Sequence, residues 1–128
     1  MTDHVQHRPL TVRLRRELLV DVLELLAERY PDPDLTLDDV ARGVASSRRQ
    51  VQRLFEESGD TFRAHVTRLR MDRASELLAT TSLPVREISR QVGYRQSAQF
   101  AKSFRRHTGS SPLEWRAAER LGRLSAAA

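Results

Sequence analysis

The chain has 128 residues and no cysteine, so it holds one domain or two very small ones, without disulfides, thiolate metal sites or cysteine nucleophiles. Its net charge of +5 is unevenly spread: residues 1–40 carry five arginines and nine acids, net −4, and residues 41–128 carry 17 basic residues and eight acids, net +9. A basic body behind an acidic first third points to a polyanionic partner for that body. Arginine outnumbers lysine 21 to one; codon bias in a GC-rich genome accounts for most of such a ratio, which therefore carries little weight. No apolar run approaches the ~18 residues of a membrane span, and "MTDHVQHRPL" lacks the apolar core of a secretory signal. A soluble cytoplasmic protein with no membrane partner is the expectation.

The periodicity is helical almost throughout, with no sustained period-2 alternation, so an all-α fold is expected. Residues 1–10 read as a flexible tail. From Thr11, "TVRLRRELLVDVLELLAERY" sets Leu14, Leu18, Val22, Leu25 and Leu26 on one stripe, and "PDPD" ends it. Thr36 heads the next segment with Asp39 three residues on. Ser47 heads a third with Gln50 three on, and Ser111 heads the last, with Pro112 first in the helix and Glu114 three on. The last two fit the reciprocal capping box, and the first is a weaker aspartate version of it. Thr61 to Thr80 is one uninterrupted helical pattern with Phe62, Val66, Leu69, Ala74, Leu77 and Leu78 as its expected buried residues. Roughly twenty residues at ~1.5 Å each make a rod of ~30 Å. Ser82-Leu83-Pro84 ends it. The expected division is a first subdomain over 11–59, a connecting helix over 60–81, a second subdomain over 82–120 and a frayed tail over 121–128.

The two subdomains repeat one pattern. "DDVARGVA" (Asp38–Ala45) parallels "REISRQVG" (Arg86–Gly93), and "VQRLF" (Val51–Phe55) parallels "FAKSF" (Phe100–Phe104). Val40 pairs with Ile88, Val44 with Val92, Ala41 with Ser89 and Ala45 with Gly93. The small residues fall where two helices must cross closely, and each copy reads as a helix-turn-helix. The second copy has one extra residue between its halves, so its turn should be longer. Rotation at ~100° per residue gathers Val51, Leu54 and Phe55 on one side and Arg49, Gln52, Arg53 and Glu56 on the other. In the second copy Phe100 and Phe104 face in, while Ala98, Ala101, Lys102 and Arg105 face out.

An exposed helix face is ordinarily just polar and solvated. Two matched contexts, each with cations on the outer face of the second helix, weigh against that reading. Arginine forks onto guanine O6/N7 and glutamine onto adenine N6/N7, so these are the residue types a major-groove reader needs. Two such helices ~30 Å apart nearly match one ~34 Å turn of B-DNA, so a monomer suffices to address two successive grooves.

In chain order, "RLF" with Gly59, "RLRMDRASELL", "VREISRQVGY", "FAKSFRRHTG" and "SPLEWR" resemble the DNA-binding domain of the AraC/XylS transcription regulators, from Leu35 to Arg116. The resemblance implies seven helices, two helix-turn-helix subdomains joined by a long helix, sequence-specific binding to double-stranded promoter DNA, and activation through contact with RNA polymerase. It implies base contacts by Arg49, Gln52 and Arg53 in the first copy and by Ser97, Ala98, Ala101 and Lys102 in the second. Phosphate contacts fall to Ser47 and Arg48 and, in the second copy, to Arg95, Gln96 and Arg105. Only Lys102 among the second set has long polar reach, and Ala98 suits a thymine methyl, so the first helix is expected to dominate specificity. Two departures stand out: Gln96 replaces the usual Ser or Asp cap, and Ala45 and Ser46 replace the commoner Gly and apolar residue, so the first turn should be strained or repacked. The chain resembles the short members that act as a bare DNA-binding domain, with a fragment of a longer regulator as the alternative.

The other polar residues read blandly. Trp115 and Tyr94 are expected in the core, and Arg70 in a structural salt bridge to an acid on a neighbouring helix. Arg106 reads as a phosphate contact or a helix-dipole cation. His4 and His7 lie in the expected tail without a further ligand, and His65 and His107 stand alone, so no metal and no cofactor are expected. "PDPDLTLDD" lacks the spacing and turn glycine of a calcium loop. No Ser/His/Asp set has a motif context and no glycine loop cradles phosphate, so the chain is not read as an enzyme. The rival classes are a non-specific architectural nucleic-acid protein, which would rely on phosphates and a steep salt slope, and a helical adaptor, which would need an exposed apolar groove.

Overall fold

The computed structural model of the chain describes the backbone of residues 2–127 and the side chains of residues 14–126. Seven helices follow one another: α1 (Thr2–Arg29), α2 (Leu37–Gly43), α3 (Arg48–Glu57), α4 (Phe62–Thr80), α5 (Val85–Gln91), α6 (Ser97–Thr108) and α7 (Pro112–Ala127). Among the described residues there is no strand. The expected all-α fold of seven helices is observed. Helix α1 reaches back to Thr2 through the stretch read as a tail, and α7 runs on to Ala127. The His4 and His7 side chains lie outside the described residues.

The chain divides into two compact units, one of Met1–Arg29 with Asp34–Ala64 and one of Tyr30–Pro33 with His65–Ala128. In the first, Val22 and Leu26 of α1 meet Val40 and Ala41 of α2 and Val51, Leu54 and Phe55 of α3, all buried. Phe62 stands edge-on to Phe55 with ring centres 6.3 Å apart. Leu14, expected in this stripe, is 54% exposed. It lies two turns ahead of Val22, the first described residue of α1 that is buried.

The second core gathers Met71, Ala74, Leu77 and Leu78 of α4, Ile88 and Val92 of α5, and Phe100 and Phe104 of α6, with Leu83, Val85, Tyr94 and Trp115 packed around them. Met71, absent from the expected buried set, is fully buried in line with Ala74 and Leu78 at i, i+3 and i+7. Phe62 and Leu69, which were expected there, are half-buried. Truncating Phe104 to alanine in such a core costs ~3–5 kcal/mol.

The two helix-turn-helix turns close by the same hydrogen bonds. The Ser46 amide donates to the Ala41 carbonyl (2.8 Å) and the Ala45 amide to Arg42 (3.1 Å); the Tyr94 amide donates to Ser89 (2.9 Å) and the Gly93 amide to Arg90 (3.1 Å). Each is a Schellman closure, which places one residue in the left-handed region. In the second copy that residue is Gly93 (φ +106°); in the first it is Ala45 (φ +54°), the one described non-glycine residue with positive φ. The strain expected of the first turn is therefore real and sits at Ala45. Four residues separate α2 from α3 and five separate α5 from α6, so the second turn is longer as expected.

Candidate nucleic-acid interface

Helix α3 starts because Ser47, in extended backbone, accepts a hydrogen bond at Oγ from the Gln50 amide (3.1 Å). The reciprocal half of the expected capping box is missing. Gln50 Oε1 accepts instead from the Ser46 hydroxyl (2.5 Å), a partner that the serine in the turn supplies. The weaker candidate box, by contrast, is complete. Thr36 Oγ1 accepts from the Asp39 amide and Asp39 returns to the Thr36 amide, and Ser111 and Glu114 do the same at α7. The cap's amide first, then its hydroxyl, hold the carboxyls of Asp39 and Glu114 below their ordinary range.

One face of α3 is buried through Val51, Leu54 and Phe55. Its other face exposes Arg48, Arg49, Gln52, Arg53 and Glu56. Among the described residues neither Arg49 nor Arg53 has an ion-pair partner. Arg48 Nε lies 3.9 Å from Asp38 Oδ1, and Glu57, one turn beyond Arg53, is tied to Arg15 of α1 at 3.1 Å. The first copy thus brings Ser47, Arg48, Arg49, Gln52 and Arg53 onto one solvent-facing surface. Two guanidiniums one turn apart there, those of Arg49 and Arg53, can donate to carbonyl or phosphate oxygens.

In the second copy the turn and α6 expose Arg95, Gln96, Ser97, Ala98, Lys102 and Arg105 together. Ala101, expected to face out, is half-buried, because Phe100 and Phe104 draw that side of the helix toward α4 and α5. Gln96 is the N-cap residue of α6 but makes no side-chain cap bond. The helix nevertheless begins at Ser97, with the Phe100 amide donating to the Gln96 carbonyl at 3.2 Å. Burial of Phe100 and Phe104, whose ring centres are 5.7 Å apart, holds α6 without the cap. Arg105 is not free: its Nη2 lies 3.3 Å from Glu114 Oε1.

Trp115 is half-buried, edge-on to Phe104 at 5.9 Å, and its Nε1 donates to the Ser75 carbonyl at 3.3 Å. Tyr94 is likewise a packing residue, edge-on to Phe100 at 5.6 Å. Arg70 is structural, but its partners differ from the expected acid. It donates to the Tyr30 and Asp32 carbonyls, both at 2.8 Å, and lies over the Tyr94 ring at 5.5 Å. Partial burial lowers its pKa. His107 does not stand alone, since its Nε2 lies 3.8 Å from Asp72.

Sequence reasoning missed Arg116, which donates to the Leu78 (3.0 Å) and Leu83 (2.7 Å) carbonyls and so satisfies the end of α4. It also missed the acids beside Arg48 and Arg105. Asp38 and Glu114 are ten and nine residues away in sequence, beyond the reach of any helical spacing rule. Among the described residues no group of three His, Asp or Glu side chains is placed to hold a metal ion, and no helix is long and apolar enough to cross a membrane.

A helix-turn-helix domain family matches residues 40–118 of the chain. Transcriptional activator NphR of a Rhodococcus species is 37% identical over 98 residues, 77% of this chain and 29% of that protein. A transcriptional regulator with an AraC-type DNA-binding domain from Chromobacterium violaceum is similar in fold with a TM-score of 0.74 at 30% identity, over 81% of this chain and 93% of that one. The DNA-binding domain of the global transcription factor AdpA, solved in complex with a target DNA, gives a TM-score of 0.75 at 28% identity, over 82% of this chain and 95% of that one. The chain spans about three tenths of the length of the curated relatives it matches.

Proposed function

The chain belongs to the AraC-type helix-turn-helix family of DNA-binding transcription regulators, and from that premise we propose that it is a sequence-specific promoter-binding activator whose α3 and α6 enter two successive major grooves. The observation that carries this reading is the outer face of α3. Arg49, Gln52 and Arg53 project from it opposite a fully formed core, and the two arginines have no ion-pair partner among the described residues. A face kept only for solubility gains from interspersed charges of both signs; this one presents the donors that read guanine and adenine edges. Arg49 and Arg53, one turn apart, take guanines, and Gln52 between them takes an adenine.

In the second copy Ser97, Ala98 and Lys102 face the bases. Lys102 is the one long donor, so α6 contributes position and a thymine preference more than discrimination. Ser47 and Arg48 at the head of α3, and Arg95, Gln96 and Arg105 around α6, contact phosphate and set register. The uncapped amides at the start of α6 add donors for the same backbone. The protein binds as a monomer, acts in the cytoplasm on nucleoid DNA and contacts RNA polymerase there.

Selection of bound duplexes from a random library, near physiological salt, tests this directly. The expected product is one asymmetric motif with two blocks centred about one helical turn apart, bound at least ~10³-fold more tightly than random DNA. A palindrome would overturn the monomeric reading, a single block the role of α6, and absence of enrichment the sequence-specific reading itself.

A further inference from the structure

Two of the helices outside the helix-turn-helix units, α1 and α7, each leave an apolar stripe uncovered. On α7 the stripe is Leu113, Ala117, Leu121 and Leu124, at i, i+4, i+8 and i+11, with the three leucines 65%, 65% and 68% exposed. At ~100° per residue these four fall within a quarter of the helix circumference. On α1 it is Val20, Leu23 and Ala27, with Val20 52% and Leu23 37% exposed. Isolated exposed leucines are ordinary, whereas an apolar line along two or three helical turns is a contact surface.

The charges beside the two stripes are opposite. Glu17, Asp21, Glu24 and Glu28 run along α1 at i, i+4, i+7 and i+11. All four are exposed, and none has an ion-pair partner among the described residues. Arg120 and Arg123 flank the stripe of α7. Both are exposed, and the one polar contact between them is a long 3.5 Å hydrogen bond from Arg120 to the Thr81 carbonyl. The same opposition holds for the chain as a whole, net −4 over residues 1–40 and +9 over residues 41–128. Stripe against stripe with acids against arginines is the geometry of a helix pair whose flanking charges choose the partner.

We propose that α7 of one chain docks on α1 of a second copy, each stripe covering the other, with the acid row of α1 facing Arg120 and Arg123. The contact is heterologous, so a joined pair keeps one free stripe of each kind and copies join head to tail. Stripes of this length bury less than the ~1,200 Å² of a stable complex, so association in free solution is weak and takes hold where copies are held side by side on adjacent sites of one duplex.

Because the chain has no cysteine, single thiols placed at exposed alanines of the two stripes report the contact without DNA, and independently of whether the DNA reading holds. Ala27→Cys and Ala117→Cys variants of different tag length are mixed at a concentration on the order of 100 μM, suited to a weak interface, and treated with a short bis-maleimide. The expected result is a mixed cross-linked dimer well above either like-with-like product. Arg120→Glu with Arg123→Glu in the Ala117→Cys chain should cut that yield ~3-fold or more, and Glu24→Arg with Glu28→Arg in the Ala27→Cys chain should restore it. A dominant Ala117–Ala117 product would assign the α7 stripe to a symmetric dimer and overturn the proposal. Equal background in all three mixtures, which leaves the stripes to another protein, or a mixed product indifferent to the charge reversal, would overturn it too.

Discussion

Ala45→Gly should stabilise the protein, and the equivalent exchange in the other copy should do the reverse. Ala45 and Gly93 hold the same place in two identical Schellman closures, at φ +54° and φ +106°. A β-carbon in the left-handed region costs ~1–2 kcal/mol, and Ala45 is exposed, so its methyl offsets little of that by packing. Glycine widens the unfolded ensemble and gives back ~0.4–1 kcal/mol. The net expectation for Ala45→Gly is a gain of ~0.5–1 kcal/mol, or a rise in Tm of about 2–5 °C. Gly93 sits where no L residue is comfortable. A β-carbon added there would stand 2.8 Å from the Tyr30 carbonyl oxygen and 2.8 Å from Arg70 Nε. The first of these is backbone and cannot swing away, so Gly93→Ala should cost more than ~2 kcal/mol. Urea unfolding followed by circular dichroism measures both. Opposite signs are required; if Ala45→Gly is neutral or destabilising, Ala45 is not held in the left-handed region and the strain argument fails.

Three further outcomes follow from the same residues. Arg53→Ala should cost ~1–3 kcal/mol on the selected site and relax base preference at one position, whereas Arg48→Ala should weaken all DNA alike and lower the salt slope by about one charge; equal losses on random and selected duplexes for Arg53→Ala would remove it from the base-reading set. Ser89 is buried with no partner for its hydroxyl, and its mate in the first copy is Ala41, so Ser89→Ala should stabilise by ~1 kcal/mol in the same urea assay, and a loss would mean the hydroxyl is bonded after all. Asp39 and Glu114 have carboxyls held below their ordinary values of 3.8 and 4.5. A depressed folded-state pKa contributes stability that is whole above the ordinary value and lost as pH falls through the folded one, so helix content should begin to drop below about pH 4. Glu114→Gln, which keeps a side-chain acceptor for the cap, should flatten the acid limb at α7.

What was legible in the sequence was whatever is local. The helical periodicity, the pairing of Ala45 with Gly93, the extra residue in the second turn and the apolar side of α3 all follow from spacing and small-residue placement, the count of seven helices from the family resemblance, and all are observed. Met71 was legible too, on a line with Ala74 and Leu78, but Phe62 and Leu69 competed for the same helix and only packing chose between them. What was not legible is set by tertiary distance. Arg70 has no acid near it in sequence, yet the chain brings two carbonyl oxygens to it across some forty residues. Arg116 reaches back to Leu78 and Leu83 in the same way. Gln50 left its expected partner because Ser46, one residue before the cap, offered a nearer hydroxyl.

The two copies of the repeat differ in scaffold and in outer face. The second copy carries the better scaffold: a glycine where the turn needs one, two fully buried phenylalanines in α6, and Tyr94 and Trp115 packed beside them. Its outer face is small, with Ser97 and Ala98 where the first copy has long side chains. The first copy carries the reverse, a strained alanine turn beneath Arg49, Gln52 and Arg53. A helix that grips phosphate tolerates short side chains but needs a fixed position; a helix that reads base edges needs reach. If this division is functional, grafting reach onto α6 with Ala98→Arg should change which sequences are selected at the second block and leave the first block as it was. Loss of preference at both blocks would mean that the two helices are not read independently, and the assignment of positioning to one and discrimination to the other would fall.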